Sequence, residues 1–222
     1  MAKAFLFLFS VLFSLSGNYN ISMLGLNVAK VSIISEKNLN NNGIEFKKIK
    51  YFSSTKSLVN IFFPVSNYHE TVVVGNKIMQ YKKNINQIDY KESLTTYRKN
   101  DTTFYESGDY ICRNCQNIFS LLDLIQSSPQ DIINKEFIID REGESFRVNF
   151  SKISTENNIL TLNLNIYSLN QQNYNNRKHD IFLWGLFLPN CIRQISIDLN
   201  TNQIVKCKFE HQLINLEANL IK

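Results

Sequence analysis

Apolar and polar residues alternate strictly in several segments of this 222-residue chain. In the clearest segment the apolar positions are Leu160, Leu162, Leu164 and Ile166, and the positions between them are Thr161, Asn163, Asn165 and Tyr167. A period of two places successive side chains on opposite faces, so this pattern predicts an antiparallel strand with one buried face. Similar alternation flanks the residues 200–202, at Ile195, Ile197 and Leu199 before them and at Val205, Cys207 and Phe209 after them. This second pattern predicts a β-hairpin.

Shorter segments of strand-like composition recur along the rest of the chain. They lie at 21–35, 44–53, 57–64, 69–74, 77–83, 90–98, 136–141, 145–153 and 178–188. Turn-forming pairs such as Gly75-Asn76 and Asn157-Asn158 keep the connections short. Many short strands with tight turns predict a mainly β fold, an antiparallel curved sheet in the form of a half-barrel or roll.

One segment has the spacing of an α-helix instead. Its apolar residues recur every three or four positions, at Ile118, Leu121, Leu122 and Ile125. Asn114 and Asn117 are the candidate N-caps, and Pro129 follows the end of the run. We therefore expect one amphipathic helix at 116–126 that covers one end or one face of the sheet.

The N-terminal segment has the features of a secretory signal. Met-Ala-Lys is followed by an apolar run from Ala4 to Phe13, and small residues then stand at Ser14 and Ser16. The run is too short to cross a bilayer, which takes about 20 apolar residues. We expect cleavage near Gly17, with residues 1–17 as signal peptide and residues 18–222 as a single domain. This interpretation predicts export to the periplasm or the extracellular space and no integral membrane span after cleavage. The alternative is a buried or anchoring hydrophobic segment.

Composition and motifs exclude several function classes. Lys and Arg number 24 against 19 Asp and Glu, and they are scattered, which indicates a solvated surface and no nucleic-acid partner. The chain contains no nucleotide-binding, dinucleotide-binding or Gly-x-Ser-x-Gly motif, so no cofactor and no catalytic residue is predicted. His69, His179 and His211 show no metal-ligand spacing, and we expect them at the surface or at a strand edge.

The pair Cys112-Arg-Asn-Cys115 is the sharpest local motif. It allows a redox thiol pair at a helix start, a zinc site completed by Cys191 and Cys207, or a structural disulfide in an oxidising compartment. A local Cys112–Cys115 bridge is the easiest disulfide to form. The hairpin register places Cys207 opposite residues 194–195, so a bridge from Cys207 to Cys191 would require a bulge or a slip.

Two apolar patches suggest a ligand. The run Ile181–Pro189 is almost continuously apolar, which predicts a strand that is either central to the core or lines a cavity. Residues 62–64 form the second patch. If both patches line the concave side of a curved sheet, a hydrophobic ligand would contact Phe62, Phe182, Trp184 and Phe187.

Four segments follow one another in the order of a known family, namely Leu24–Ala29, Val59–Val74, Lys77–Ile85 and Asp109–Ile125. They resemble the opening strand, the next two strand segments and the helix of exported bacterial proteins in the domain of unknown function 3108 family. Ala29 stands where that family has Gly, and the cysteine pair is a further departure. The resemblance implies an antiparallel β-rich envelope protein with no known catalytic residue.

Together these observations predict an exported envelope protein that is not an enzyme and that binds a hydrophobic ligand or an envelope protein partner. The alternative is a thiol-disulfide or zinc-binding protein that uses Cys112 and Cys115.

Overall fold

The computed structural model describes residues 16–40, 42–169, 180–212 and 214–221, and these contain fourteen strands and three helices. In chain order the elements are β1 Gly17–Met23, β2 Leu26–Leu39, β3 Glu45–Thr55, α1 Ser57–Phe62, β4 Ser66–Val74, β5 Lys77–Gln87, β6 Tyr90–Lys99, β7 Thr102–Tyr105, β8 Tyr110–Arg113, α2 Ile118–Ser127, β9 Glu136–Arg141, β10 Glu144–Glu156, β11 Ile159–Ser168, α3 Ile181–Leu186, β12 Ile192–Asp198, β13 Gln203–His211 and β14 Ile214–Leu220. The predicted signal segment lies outside the described residues except for Ser16 and Gly17.

The strands form one antiparallel sheet in the order β8-β7-β6-β5-β4-β3-β2-β1-β14-β13-β12-β11-β10-β9. Two meanders, β1–β8 and β9–β14, are therefore joined where β1 pairs with β14. The two edge strands, β8 and β9, approach each other through Gln116. Its N–H donates to the carbonyl oxygen of Ile138 at 3.0 Å, and its own carbonyl accepts from Asp140 N–H at 2.8 Å. The sheet is thus an almost closed barrel. This confirms the predicted mainly β fold with a curved antiparallel sheet.

Helix α2 lies where the sequence predicts a helix. Asn117 is its N-cap and forms a reciprocal capping box with Ser120. Both faces of the helix are largely buried. Leu121 and Ile125 on one face belong to the same core as strands of both meanders. Asp123 and Gln126 on the opposite face are buried as well. Phe119 packs on Tyr51 of β3 with the ring centroids 4.5 Å apart. Helix α2 therefore packs against the inner side of the curved sheet.

The alternating segments form the predicted strands. Leu160, Leu162 and Leu164 of β11 point into the core and are at most 2% exposed. The β12–β13 hairpin has the predicted register, with Ile195 paired with Cys207. The segment 21–35 is divided into two strands, because a tight turn at Leu24-Gly25 separates β1 from β2.

The strands predicted at 57–64 and 178–188 are wrong, since these segments contain helices α1 and α3. In α1 the N–H of Phe63 donates to the carbonyl oxygen of Val59 at 2.7 Å, which is helical bonding. At the end of α3 the N–H of Phe187 donates to the carbonyl oxygen of Leu183 at 3.2 Å, and both side chains are buried. A continuous apolar run does not by itself distinguish a buried strand from a buried helix. Within the described ranges, none of the helices has the length and apolarity that crossing a membrane requires.

Candidate functional site

An apolar cavity of about 420 Å³ lies between the junction of β1 with β14 and the two short helices. We call it the apolar cavity. Its walls come from strands β1, β2, β3, β13 and β14, from helices α1 and α3, and from the residues that follow these helices. The lining residues are Ile21, Met23, Val28, Ala29, Thr55, Val59, Phe63, Val65, Gly185, Leu186, Leu188, Phe209, Ile214 and Leu216. This volume falls within the range of about 300–1,000 Å³ that is usual for small-molecule sites.

The lining offers almost no polar group to a ligand. Thr55 is the one polar side chain among the residues that line the apolar cavity. Its hydroxyl lies 3.0 Å from the carbonyl oxygen of Phe63 and accepts a hydrogen bond from Val65 N–H at 3.0 Å. Because this hydroxyl already has partners, a bound molecule would meet hydrocarbon on nearly all sides.

Met23 and Phe63 mark the opening of the apolar cavity. Both line it, and both keep 40% of their surface exposed. By contrast, Ala29 and Val65 are 2% and 3% exposed and belong to the closed end. An apolar molecule would therefore enter between the β1–β2 turn and helix α1.

Arg193 of β12 holds the C-terminal end of α3 against the barrel. Its guanidinium donates to the backbone carbonyl oxygens of Leu186 and Leu188, and to that of Cys191 at 3.1 Å. These carbonyls lie at and beyond the end of the helix, where a positive charge is favourable and where intrahelical partners are lacking. The wall that α3 contributes to the cavity is therefore fixed by a buried side chain.

Asp180 holds the chain immediately before α3. Its Oδ2 lies 2.9 Å from Nε2 of His69, and its Oδ1 accepts from Nδ2 of Asn67 at 2.7 Å and from Nε2 of Gln87 at 3.3 Å. Nδ1 of His69 lies 2.9 Å from the hydroxyl of Tyr81. Burial raises the pKa of Tyr81 well above its ordinary value, so this hydroxyl stays protonated.

The sequence did not reveal this cluster, because it joins β4 and β5 to a residue more than ninety positions further along the chain. His69 is only 3% exposed, so the expectation that it lies at the surface is wrong. His179 is outside the described residues. A His–Asp pair next to a hydroxyl is a combination used in acid–base chemistry, but Asp180 and His69 are only 1% and 3% exposed. We assign the cluster the role of anchoring α3.

A second cavity, of about 40 Å³, lies on the other side of α3. It is lined by Leu183 of α3, by Phe187 directly after that helix, and by Arg141, whose guanidinium lies 4.9 Å from the centroid of the Phe187 ring. Nε and Nη1 of Arg141 have no hydrogen-bond partner among the described residues. This space suits one or a few water molecules and is too small for an organic ligand. Asp140 also lines it, and burial raises the pKa of that carboxyl to about 7.

Two of the four aromatic residues predicted to contact a ligand, Phe62 and Phe187, lie in different parts of the structure. Phe62 is 77% exposed on α1, while the adjacent Phe63 lines the apolar cavity. Phe187 lines the smaller cavity and packs on Phe146, with the ring centroids 4.6 Å apart. Phe182 and Trp184 belong to α3, and their side chains lie outside the part of the chain that is described. Strands β1 and β14 and Gly185 also line the apolar cavity. The sequence pattern did not identify them as parts of a binding site, and its one relevant feature was a glycine within an apolar run.

Cys112 and Cys115 form a disulfide between β8 and α2, with their Cα atoms 6.0 Å apart. They are 3% and 6% exposed, which shields the bond from an exchange partner. Cys191 and Cys207 are free, and burial raises the pKa of the Cys207 thiol to about 12. No group of three or more potential metal ligands is found among the described residues.

No family model matches the chain, and no curated protein is similar to it in sequence. Among solved structures, it is similar to the beta-barrel-like protein of domain of unknown function DUF1849 from Brucella abortus, with a TM-score of 0.51 and 7% sequence identity. The match covers 93% of this chain and 95% of that chain. At this identity the likeness concerns the fold alone. It supports the barrel-like architecture, and the resemblance to the domain of unknown function 3108 family stays a prediction.

Proposed function

We propose that this protein is an exported, non-enzymatic envelope component that holds a hydrophobic ligand, such as the hydrocarbon chain of a lipid, in the apolar cavity. The observation that carries this proposal is the cavity itself, which has about 420 Å³ of space and one polar lining side chain whose hydroxyl is already bonded. Each methylene group moved from water into such a site gains about 0.8 kcal/mol.

The cavity wall is fixed before any ligand arrives. Arg193 holds one end of α3, and Asp180 holds the chain before the other end. Helix α1 is held to β2 because Lys56 N–H donates to the carbonyl oxygen of Val28 at 2.9 Å. A wall that is already in place keeps the entropy cost of binding low.

The predicted export agrees with the position of β1. A cut after Gly17 would remove only the first residue of β1 and would keep the whole of its pairing to β14. The resemblance to envelope proteins of the domain of unknown function 3108 family supports the same address. The buried disulfide agrees with an oxidising compartment.

Gly185 provides a matched test. It lines the apolar cavity, and a Cβ added there would meet no atom within 4 Å. Gly185→Phe should fill the cavity and lower the affinity for a fluorescent fatty acid at least tenfold, by about 1.4 kcal/mol or more. Gly185→Ala adds only a methyl group and should keep the affinity within a factor of about two, while helix propensity raises stability by about 0.5–1 kcal/mol.

Fluorescence titration and competition with unlabelled fatty acid measure the two affinities, and circular dichroism checks that both variants are folded. Equal affinities for a folded Gly185→Phe variant and the parent protein would refute binding in this cavity.

A further inference from the structure

Six exposed apolar residues lie in the two segments that flank the opening of the apolar cavity. Three belong to the β1–β2 turn and three to α1 and its end, namely Met23, Leu24, Leu26, Ile61, Phe62 and Phe63. We call this set the apolar rim. Its most exposed members are Leu24, Phe62 and Leu26, with 80%, 77% and 72% of their surface exposed. The two parts are adjacent, because Lys56, which precedes α1, donates from its backbone N–H to the carbonyl of Val28 in β2.

The backbone at Leu24 gives an independent indication that this side chain has a role outside the fold. Leu24 has φ +51° and Gly25 has φ +81°, so both central residues of the turn are left-handed. Asn and Gly are the residues that adopt this conformation at low cost, whereas a side chain such as Leu is strained. Among the described non-glycine residues with positive φ, seven are Asn, and Leu24 is the one apolar residue. Leu24 thus strains the turn and gains no burial within the chain.

The charged residues near the apolar rim also have an uneven distribution. Residues 17–29 and 57–68, which contain the apolar rim, include no charged residue. The charged residues next to the rim segments are Lys30, after the turn, and Lys56, before the helix. Nζ of Lys56 donates to the neutral side-chain oxygen of Asn20, and no carboxylate partner is found for either lysine among the described residues. Two uncompensated positive charges therefore border the uncharged rim.

We propose that the apolar rim docks this protein on the surface of an anionic lipid bilayer, with Leu24, Leu26 and Phe62 inserted among the acyl chains. The residues that dominate binding between proteins are enriched in Trp, Tyr and Arg and poor in Leu, whereas the rim contains two Leu and none of those three residue types. Exposed aliphatic and aromatic residues bordered by Lys are typical of segments that lie in the membrane interface. The opening of the apolar cavity lies within the rim, so a docked protein would present it directly to hydrocarbon.

Strand β2 supplies a matched pair of variants. Leu26 begins it and Leu39 ends it, with 72% and 70% of their surfaces exposed, and roughly 40 Å of extended chain separates them. Leu26→Asn should lower binding to vesicles of mixed phosphatidylcholine and phosphatidylglycerol about tenfold, whereas Leu39→Asn should leave it unchanged. All variants are full chains with the same N-terminal segment, so differences between them in co-sedimentation report on the rim.

Leu24→Asn adds a test in which two readouts move in opposite directions. The substitution relieves the left-handed strain, so the melting temperature should rise by about 2–4 °C. The same substitution removes a membrane contact, so vesicle binding should fall about tenfold. Binding of the parent protein should also weaken in high salt and on vesicles of phosphatidylcholine alone.

The proposal is overturned if the parent protein fails to bind these vesicles, or if Leu26→Asn and Leu39→Asn bind equally. It is also overturned if Leu24→Asn is more stable and binds vesicles as well as the parent. Docking does not depend on the cavity being filled, so Gly185→Phe should still bind vesicles. Fatty acid binding by the rim variants in the absence of vesicles reports on the proposed function separately.

Discussion

Asp140 makes the stability of this barrel depend on pH. It lies near the end of β9 and accepts a hydrogen bond from Gly143 N–H at 3.1 Å. Burial raises the pKa of its carboxyl from 3.8 to about 7, and the nearby carboxylate of Glu142 also raises it. In the unfolded chain the group ionises near pH 4, so between pH 4 and 7 the folded state binds more protons than the unfolded state.

The sign and size of the effect follow from this difference. Below about pH 4 the carboxyl is protonated in both states and contributes no pH dependence. As the pH rises towards 7, the unfolded state gains from ionising and the folded protein becomes less stable, with no further loss above about pH 7. A change in pKa from 3.8 to about 7 corresponds to about 4 kcal/mol. Solvent reaches part of this side chain and screens the penalty, so we expect about 2 kcal/mol.

Asp140→Asn isolates this contribution. The amide oxygen can still accept from Gly143, but the group no longer ionises. The variant should match the parent near pH 4 and exceed its free energy of unfolding by about 2 kcal/mol at pH 7.5. Urea denaturation at constant ionic strength measures both curves. Asp198→Asn, which removes a carboxyl from another turn, serves as the control. Parallel curves for Asp140→Asn and the parent at every pH would refute the reasoning.

Two further predictions concern the disulfide and the N-terminus. Replacing Cys112 and Cys115 together by Ser should lower the free energy of unfolding by about 2 kcal/mol, because the bridge closes only a short loop. Urea titration of the oxidised parent and of the variant measures this difference, and equal stabilities would contradict the prediction. If residues 1–17 are a signal peptide, the protein recovered after export should begin at Asn18 by intact-mass measurement, and recovery of the uncleaved chain would contradict the assignment.

The sequence correctly predicted the strands in which apolar and polar side chains alternate without interruption. The strand with Leu160 and Leu162 and the hairpin with Cys207 have strict alternation, and the hairpin register follows from its turn. Residues 57–64 and 178–188 have continuous apolar runs, for which period cannot separate strand from helix. Their assignment as α1 and α3 depends on contacts with distant strands, which a local pattern does not contain.

The sequence pattern also did not predict where α2 packs relative to the sheet. The sequence predicts that the helix covers one end or one face of the sheet, and it identifies no partners for the polar residues Asp123 and Gln126. In the structure both are buried. Asp123 accepts from Nζ of Lys47 at 2.8 Å, and Gln126 accepts from the backbone N–H of Ile204 at 3.2 Å. The partners come from β3 and β13, in different meanders, so a single-segment pattern could not reveal them.

The pairing of β1 with β14 has a consequence for how this chain acquires its structure. Two strands about two hundred positions apart must meet before the sheet is continuous, which costs loop-closure entropy and slows folding. Until they meet, each meander has a bare edge of unpaired N–H and C=O groups. The β1 edge of one molecule can then accept β14 of another, in competition with its own. Refolding at high concentration should therefore yield exchanged dimers, in which each barrel is completed by the other chain.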